Sequence, residues 1–241
     1  MIPLRRNIDT LVDFGSGCGK STRAVANCVN EGGKIIGVDI SADMIREAED
    51  LTQKRKTDHP NVSFEYRQIT NQDEREVIPL PDGSVDAVTT TIVLEEMQTE
   101  KQLRNAISEI GRITKQGGYF AAVCVSDKIT TEDFTAFTYA PFEDNKTRED
   151  NIRRCESVVS RIVWDKDRHW SQEQLTKATE DAGFQIREIE YPLASKDSHP
   201  FPDDPSKPWR DEVHTSPFVV IVAQKGAAES TNLESNITSH T

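Results

Sequence analysis

A glycine-rich stretch near the start of the chain has the clearest capacity for chemistry. Asp13-Phe-Gly-Ser-Gly-Cys-Gly19 places three glycines at alternating positions between an apolar run and a helix-like sequence. Glycine accepts positive φ and has no Cβ, so such a loop brings backbone N–H groups close to a ligand. A second apolar run, residues 34–38, leads into Asp39, whose carboxylate can accept hydrogen bonds from both hydroxyls of a ribose. The two segments predict a nucleotide-shaped ligand across the ends of two neighbouring parallel strands.

The glycine spacing decides between three classes of ligand. A phosphate-binding P-loop needs a glycine six positions before the lysine of Gly-Lys-Ser; Gly19-Lys20-Ser21 matches the end, but Phe14 stands at the first position. A dinucleotide loop needs G-x-G-x-x-G, and here Gly19 comes one residue early. The pattern that fits is Asp-x-Gly-x-Gly-x-Gly. The structural alternative is an α/β domain in which the glycines form a turn and bind no ligand.

With this loop and the acid at Asp39, the chain resembles the class I S-adenosylmethionine-dependent methyltransferases over residues 9–126 and 171–224. The resemblance implies S-adenosylmethionine as cofactor and methyl transfer to a small-molecule acceptor. Two alternatives stay open: a nicotinamide-dependent oxidoreductase, and a non-catalytic cofactor-binding module with the same fold.

The resemblance also implies which residues hold the cofactor. The backbone around Gly15 and Ser16 would meet the methionine end, where Asp13 would either add its charge or anchor the loop. Asp39 would take the ribose hydroxyls and Ile40 would pack on the adenine. The full predicted set is Asp13, Gly15, Ser16, Gly17, Gly19, Asp39, Ile40, Gln68, Ile69, Thr90 and Thr91.

The later members of this set come from two other strand ends. Gln68 stands where the family most often has Asp, and its amide oxygen can accept from the adenine amine with less electrostatic strength. Ile69 would offer its backbone N–H to the ring. The backbone carbonyls of Thr90 and Thr91 would face the cofactor amine.

The chemistry of methyl transfer does not by itself require a catalytic residue. The reaction needs the nucleophile and the methyl group held in line, and a base only if the nucleophile arrives protonated. We expect His169 and Glu95 to be the candidates for such a base, with Trp170 as a stacking residue. The Glu95–Glu96 pair can bind a cationic substrate, or it can be an exposed acidic helix start favoured by the helix dipole.

Strand-like and helix-like patterns alternate along the chain, which predicts an α/β fold with a Rossmann-like, doubly wound, mostly parallel seven-stranded sheet and an antiparallel last strand. The predicted strands are 9–14, 34–38, 62–66, 85–90, 118–125, 184–190 and 217–223, and the predicted helices are 19–30, 41–56, 100–114 and 171–182.

Residues 1–224 are expected to form the methyltransferase domain. Within it, segments 127–170 and 191–216 look like variable loops, and we expect them to cover the substrate because only about eight residues precede the first strand. The Ser/Thr/Asn-rich tail, 225–241, is expected to be disordered.

Composition limits the partners. The chain has 241 residues and a formal charge of −12, which disfavours nucleic acid as a substrate. Four cysteines without a C-x-x-C pattern or suitably spaced histidines predict no metal site. The absence of a signal peptide and of a long apolar run predicts a cytoplasmic protein without a membrane segment. The sequence does not indicate the oligomeric state or the acceptor atom.

Overall fold

A seven-stranded sheet forms the centre of the protein. The computed structural model describes residues 7–55, 58–72, 75–126, 137–140, 152–157, 162–195 and 214–226. In chain order its strands are β1 (Thr10–Phe14), β2 (Lys34–Asp39), β3 (Ser63–Gln68), β4 (Thr70–Gln72), β5 (Arg75–Val77), β6 (Val85–Thr91), β7 (Thr114–Val125), β8 (Phe137–Ala140), β9 (Ile152–Ser157), β10 (Ile162–Arg168), β11 (Phe184–Glu190) and β12 (Phe218–Lys225). The helices are α1 (Lys20–Ala24), α2 (Ala42–Lys54), α3 (Glu100–Ile113) and α4 (Gln172–Asp181), with short 3₁₀ helices at Ala26–Cys28 and Leu94–Glu96.

The strand order confirms the predicted fold class. The main sheet runs β11-β12-β7-β6-β1-β2-β3, and every neighbouring pair from β7 to β3 is parallel. The last strand, β12, lies between β7 and β11 and is antiparallel to both. The chain order reverses beside β1, because β1 lies between β2 and β6. In open α/β sheets such a reversal marks the crevice where ligands bind.

Both faces of the sheet are covered by packed apolar side chains. Successive residues of a strand point to opposite faces, so Val12 and Phe14 join the large core under α3 and α4, whereas Leu11 joins a smaller cluster with Ile8 and Ala26 on the other face. Burial on both faces accounts for the continuous apolar strands of the sequence. It also leaves the strand ends as the place where polar groups can meet a ligand.

The helices follow the sequence prediction except for the first. The predicted helix 19–30 is shortened to α1 and one 3₁₀ turn, and the Cys28 N–H donates to the carbonyl of Val25. The β-branched and Asn residues of this segment, among them Val25 and Asn27, have low helix propensity. The other three helices lie within a few residues of their predicted bounds. Ser41 caps α2, and its Oγ accepts from the Met44 N–H at 3.3 Å.

Segment 127–170 holds structure that the sequence analysis did not predict. Strands β8, β9 and β10 form an antiparallel three-stranded sheet in place of the expected loops. Most of 191–216 and the tail beyond residue 226 lie outside the described residues. Within the described part of the chain, no helix is both long enough and apolar enough to cross a bilayer.

Candidate active site

A cavity of about 530 Å³ opens at the carboxyl edge of the sheet, beside the reversal of strand order. Segments that follow four neighbouring strands, β3, β2, β1 and β6, contribute to its wall. Its lining residues are Phe14, Gly15, Ser16, Gly17, Cys18, Lys20, Ser21, Asp39, Ile40, Met44, Ile69, Thr91, Ile92, Val93, Glu96 and Met97. Seven of the eleven predicted cofactor residues are in this set: Gly15, Ser16, Gly17, Asp39, Ile40, Ile69 and Thr91.

The glycine loop is held against the end of β2 by backbone hydrogen bonds. The N–H groups of Gly15 and Ser16 both donate to the carbonyl of Val38, at 2.8 and 2.9 Å. The Gly17 N–H donates to Oδ2 of Asp39 at 2.8 Å. The loop is therefore fastened to the strand that carries the predicted ribose ligand, and the two motifs of the sequence form one site.

Asp39 is positioned as a hydrogen-bond acceptor at the rim of the cavity. Besides the bond from Gly17, its Oδ1 accepts from the Ser41 N–H at 2.9 Å, which fixes the carboxylate at the start of α2. A carboxylate oxygen has more than one lone pair. Half-buried Asp39 therefore keeps acceptor capacity toward the cavity while it holds the loop.

Asp13 lies beneath the loop and is fully buried. Its Oδ2 accepts from the hydroxyls of Ser21 and Thr22 at 2.7 and 2.6 Å, and its Oδ1 accepts from Thr89 at 3.3 Å. Burial raises the pKa of the Asp13 carboxyl, although the three hydroxyls act in the opposite direction. Of the two predicted roles, the geometry favours the loop anchor, because Asp13 does not line the cavity.

An apolar platform adjoins Asp39. Ile40 is 55% exposed and Met44 is 44% exposed, and both line the cavity. Large apolar side chains left open beside a carboxylate fit a nucleoside, whose base presents flat apolar faces and whose ribose presents hydroxyls. The donor and acceptor set of the cavity thus fits S-adenosylmethionine.

The two residues at the end of β3, Gln68 and Ile69, do not take the roles predicted for them. Ile69 lines the cavity, but its N–H donates to the carbonyl of Asp39 at 2.9 Å and is engaged within the protein. Gln68 is exposed and its Nε2 donates to the Ile40 carbonyl at 3.0 Å. Gln68 therefore supports the backbone beneath the platform instead of lining the cavity.

The end of β6 makes an unusual turn into the cavity. Thr90 is buried and does not line the cavity, whereas Thr91 is exposed and does. Ile92 follows with φ of +54°, the one positive φ of a non-glycine residue in the described part of the chain. A β-branched residue in this region stores about 1–3 kcal/mol of strain. The turn places the side chain of Val93 against Gly15, where a Cβ would lie 2.3 Å from Val93 Cγ2.

The structure separates the two acids of the Glu95–Glu96 pair. Glu95 is buried and its Oε1 accepts from the Val125 N–H at 2.6 Å, so the expectation of an exposed pair is wrong for this residue. Glu96 is exposed and lines the cavity. Loss of hydration beside the cavity wall raises the pKa of Glu96, and the nearby charge of Asp39 acts in the same direction.

His169 and Trp170 do not line the cavity. His169 is buried, and Trp170 is a core residue whose Nε1 donates to the Leu94 carbonyl at 2.7 Å. The placement of Trp170 favours a structural role over the predicted stacking role. Trp209, the other tryptophan of the variable segments, lies outside the described residues.

A chain of polar side chains braces the loop from behind. Arg23 Nη1 donates to the Cys18 carbonyl and to Thr52 Oγ1, both at 3.1 Å, and Thr52 Oγ1 lies 2.7 Å from the hydroxyl of Tyr66. Gly19 is buried over this brace, since a Cβ there would lie 2.5 Å from Tyr66 Oη. Gly19 is thus a packing position beside the site and does not line it.

Several lining residues are absent from the predicted cofactor set. They are Phe14, Cys18, Lys20, Ser21, Met44, Ile92, Val93, Glu96 and Met97. Four of them are next in the chain to predicted cofactor residues: Phe14, Cys18, Lys20 and Ile92. Glu96 was predicted only as one of an acidic pair that can bind a cationic substrate. Val93 and Met97 follow the turn at Ile92, which no pattern indicated.

Comparison with known proteins agrees with this geometry. Residues 12–122 match the family model of the methyltransferase domain. The arsenite methyltransferase of Halobacterium salinarum is 28% identical over 182 residues, which cover 75% of this chain and 38% of that protein. A ubiquinone/menaquinone biosynthesis C-methyltransferase of Hydrogenovibrio crunogenus is 27% identical over 182 residues, which cover 73% of this chain and 65% of that protein. The chain thus spans less than two thirds of the length of both relatives.

A solved structure shares the fold of this chain. A solved structure of a methyltransferase dependent on S-adenosylmethionine, from Methanosarcina mazei, has a TM-score of 0.65 and 17% identity, and the match covers 95% of this chain and 99% of that one. Residues 12–122 are therefore similar to methyltransferase domains, the fold matches that of a methyltransferase dependent on S-adenosylmethionine, and both findings imply S-adenosylmethionine as the cofactor. The matched proteins give no support to a nicotinamide oxidoreductase or to a non-catalytic module.

Proposed function

We propose that this protein transfers a methyl group from S-adenosylmethionine to a small-molecule acceptor. The observation that carries the proposal is a single cavity in which the glycine loop, Asp39 and the exposed platform of Ile40 and Met44 stand beside the turn at Ile92. Its volume, about 530 Å³, is within the roughly 300–1,000 Å³ range of small-ligand sites.

On the cofactor side, each residue has one task. Asp39 accepts from the ribose hydroxyls, and Ile40 and Met44 cover the adenine. Because the N–H groups of Gly15, Ser16 and Gly17 donate within the protein, the backbone carbonyls of this loop accept from the ammonium of the methionine end. Asp13 and Arg23 keep the loop in place. When bound, S-adenosylmethionine supplies an electrophilic methyl group on its sulfonium. The protein contributes orientation and exclusion of water.

On the acceptor side, the wall is formed by Ile92, Val93, Glu96 and Met97. Three apolar side chains and one carboxylate suit an acceptor with an apolar body and a protonated or cationic group. Glu96 takes the role predicted for Glu95, because it faces the cavity and its raised pKa brings it closer to the range of a general base. The names of the two relatives, an arsenite and a ubiquinone/menaquinone methyltransferase, support a small acceptor.

The remaining expectations rest on composition. The charge of −12 argues against a nucleic-acid partner. The cytoplasmic location stays a prediction, and so does the role of 127–170 and 191–216 as a cover over the acceptor.

S-Adenosylmethionine and S-adenosylhomocysteine are expected to raise the melting temperature, whereas NAD and ATP are not. A ligand at 100 times its Kd stabilises the folded state by about 2.7 kcal/mol, which a thermal shift detects. NAD tests the oxidoreductase alternative, and ATP tests the near-match to a P-loop. A shift with either of these and none with the sulfonium series would contradict the cofactor site.

Methyl label is expected to enter molecules of low mass. The protein is incubated with methyl-labelled S-adenosylmethionine and with either an ultrafiltrate of small metabolites or the retained protein and nucleic-acid fraction. Label should appear in the filtrate incubation, and Asp39→Ala in parallel should abolish it, because that variant loses cofactor affinity. Label found only in the retained fraction would overturn the small-molecule acceptor while leaving the cofactor assignment intact.

A further inference from the structure

The cavity carries three charged groups among its described lining residues: Lys20, Asp39 and Glu96. Asp13, the acid closest in sequence to the loop, is fully buried and held by three hydroxyls, so its carboxylate is not presented to a ligand. Two of the presented charges are therefore negative and one is positive. Among the described lining residues, Lys20 is the one whose charge is opposite to that of an anionic ligand group.

S-Adenosylmethionine brings one anionic group to such a site. Its methionine end carries an α-carboxylate and an α-ammonium, and its sulfonium is cationic. Asp39 and Glu96 attract the cationic groups and the ribose hydroxyls, but they repel the carboxylate. A carboxylate taken into a cavity with two acids needs a compensating cation, because leaving its charge unpaired would cost binding free energy.

Lys20 stands where that cation is needed. It is the first residue of α1 and directly follows the glycine loop, which binds the methionine end in the proposed function. Its side chain is exposed at the cavity and forms no ion pair with any described residue. An ammonium there contributes to binding only when a ligand supplies the anion.

We propose that Lys20 recognises the α-carboxylate of the cofactor and makes the site selective for ligands with an intact amino-acid end. The proposal deepens the proposed function and rests on its cofactor site. It also accounts for the Gly19-Lys20-Ser21 sequence, which ends like a P-loop: here the lysine meets a carboxylate, and Ser21 donates to Asp13.

The test is calorimetric and needs no acceptor. Three ligands are titrated: S-adenosylhomocysteine, its decarboxylated analogue, which keeps the ammonium, and methylthioadenosine, which lacks the amino-acid end. The wild-type protein should bind S-adenosylhomocysteine about 10-fold more tightly than the decarboxylated analogue, the usual effect of a charge-assisted hydrogen bond. In Lys20→Met this ratio should fall close to one, with the affinity for the two carboxylate-free ligands unchanged.

Two further variants complete the experiment. Lys20→Arg should keep most of the selectivity, because it keeps the charge. Lys177→Met removes an exposed lysine of α4, remote from the cavity, and should leave all three affinities and the selectivity as in the wild-type protein. The melting temperature of each variant checks that the fold is retained.

The outcomes separate this inference from the proposed function. Equal weakening of all three ligands in Lys20→Met would overturn the inference and make Lys20 a support of the loop. Unchanged selectivity would overturn it as well. A wild-type protein that binds none of the ligands would refute the cofactor site itself, without any variant. Methyl label confined to the retained fraction would refute the small-molecule acceptor and leave this result standing.

Discussion

Asp39→Ala is expected to weaken S-adenosylhomocysteine binding on the order of 100-fold, and Gln68→Ala by less than about 10-fold. Hydrogen bonds to an ionised acceptor contribute about 1.5–3 kcal/mol, against about 0.5–1.5 for neutral ones, and 100-fold corresponds to about 2.7 kcal/mol. The Asp39→Ala variant loses two interactions: the hydrogen bonds to the ribose, and the hydrogen bond from the Gly17 N–H that holds the loop. Gln68 only donates to the Ile40 carbonyl beneath the platform.

Titration calorimetry on both variants measures the difference. Asp43→Ala is the matched control. Asp43 is an exposed acid in the first turn of α2, the helix that follows Asp39, and it pairs with Arg46. It removes one negative charge near the site without touching the cavity, and its affinity should stay close to that of the wild-type protein. Equal losses in Asp39→Ala and Gln68→Ala, or a reversed order, would mean that the ribose and adenine ends are misplaced.

The central fold could be predicted because its signals are local. Strands β1 and β2 contain short apolar runs, Leu11–Val12 and Ile35–Val38, because both faces of the sheet are buried there. Three helices carry a side-chain cap at their start: Ser41, Thr99 and Ser171 each accept from a backbone N–H in the first turn. Where such signals are missing the prediction failed, as for α1.

Strands β8, β9 and β10 could not be predicted for a related reason. Ile162–Arg168 reads Ile-Val-Trp-Asp-Lys-Asp-Arg, and Ile152–Ser157 reads Ile-Arg-Arg-Cys-Glu-Ser. Neither shows the strict alternation of a half-buried strand, and both contain several charged residues. Their pairing is long-range, so it depends on partners that no local pattern reveals.

Part of the candidate site could be predicted from the sequence and part could not. The loop and Asp39 were predictable because strand ends of a parallel sheet meet at one edge, so a motif at the end of each strand locates the cavity. The choice of Glu96 over Glu95 was not predictable, because it depends on the positive φ of Ile92. A β-branched residue disfavours that conformation, so local preference gives the wrong direction for the side chains that follow it.

Gly15→Ala is expected to destabilise the fold by about 2–5 kcal/mol and to remove measurable cofactor binding. Gly15 has φ of +74°, which costs an alanine about 1–2 kcal/mol. In addition, the new Cβ would lie 2.3 Å and 2.5 Å from the two γ-carbons of Val93, and overpacking of this kind costs about 1–3 kcal/mol. Gly17→Ala separates the two terms, because Gly17 has φ of +49° but a Cβ there meets nothing within 4 Å.

The decisive variant is the double substitution Gly15→Ala with Val93→Ala. Removing the two γ-carbons takes away the two closest contacts and leaves the Val93 Cβ, 2.9 Å from the new Cβ. The double variant should therefore be more stable than Gly15→Ala alone, although Val93→Ala by itself does not stabilise the fold. Denaturant unfolding of the four proteins gives the coupling free energy, and calorimetry with S-adenosylhomocysteine shows whether the loop regains its ligand. Additive losses, or a Gly15→Ala no worse than Gly17→Ala, would show that the turn at Ile92 does not press Val93 onto the loop. In that case the acceptor wall that this turn positions, Val93 with Glu96 and Met97, would lose its structural basis, because the same turn brings all three to the cavity.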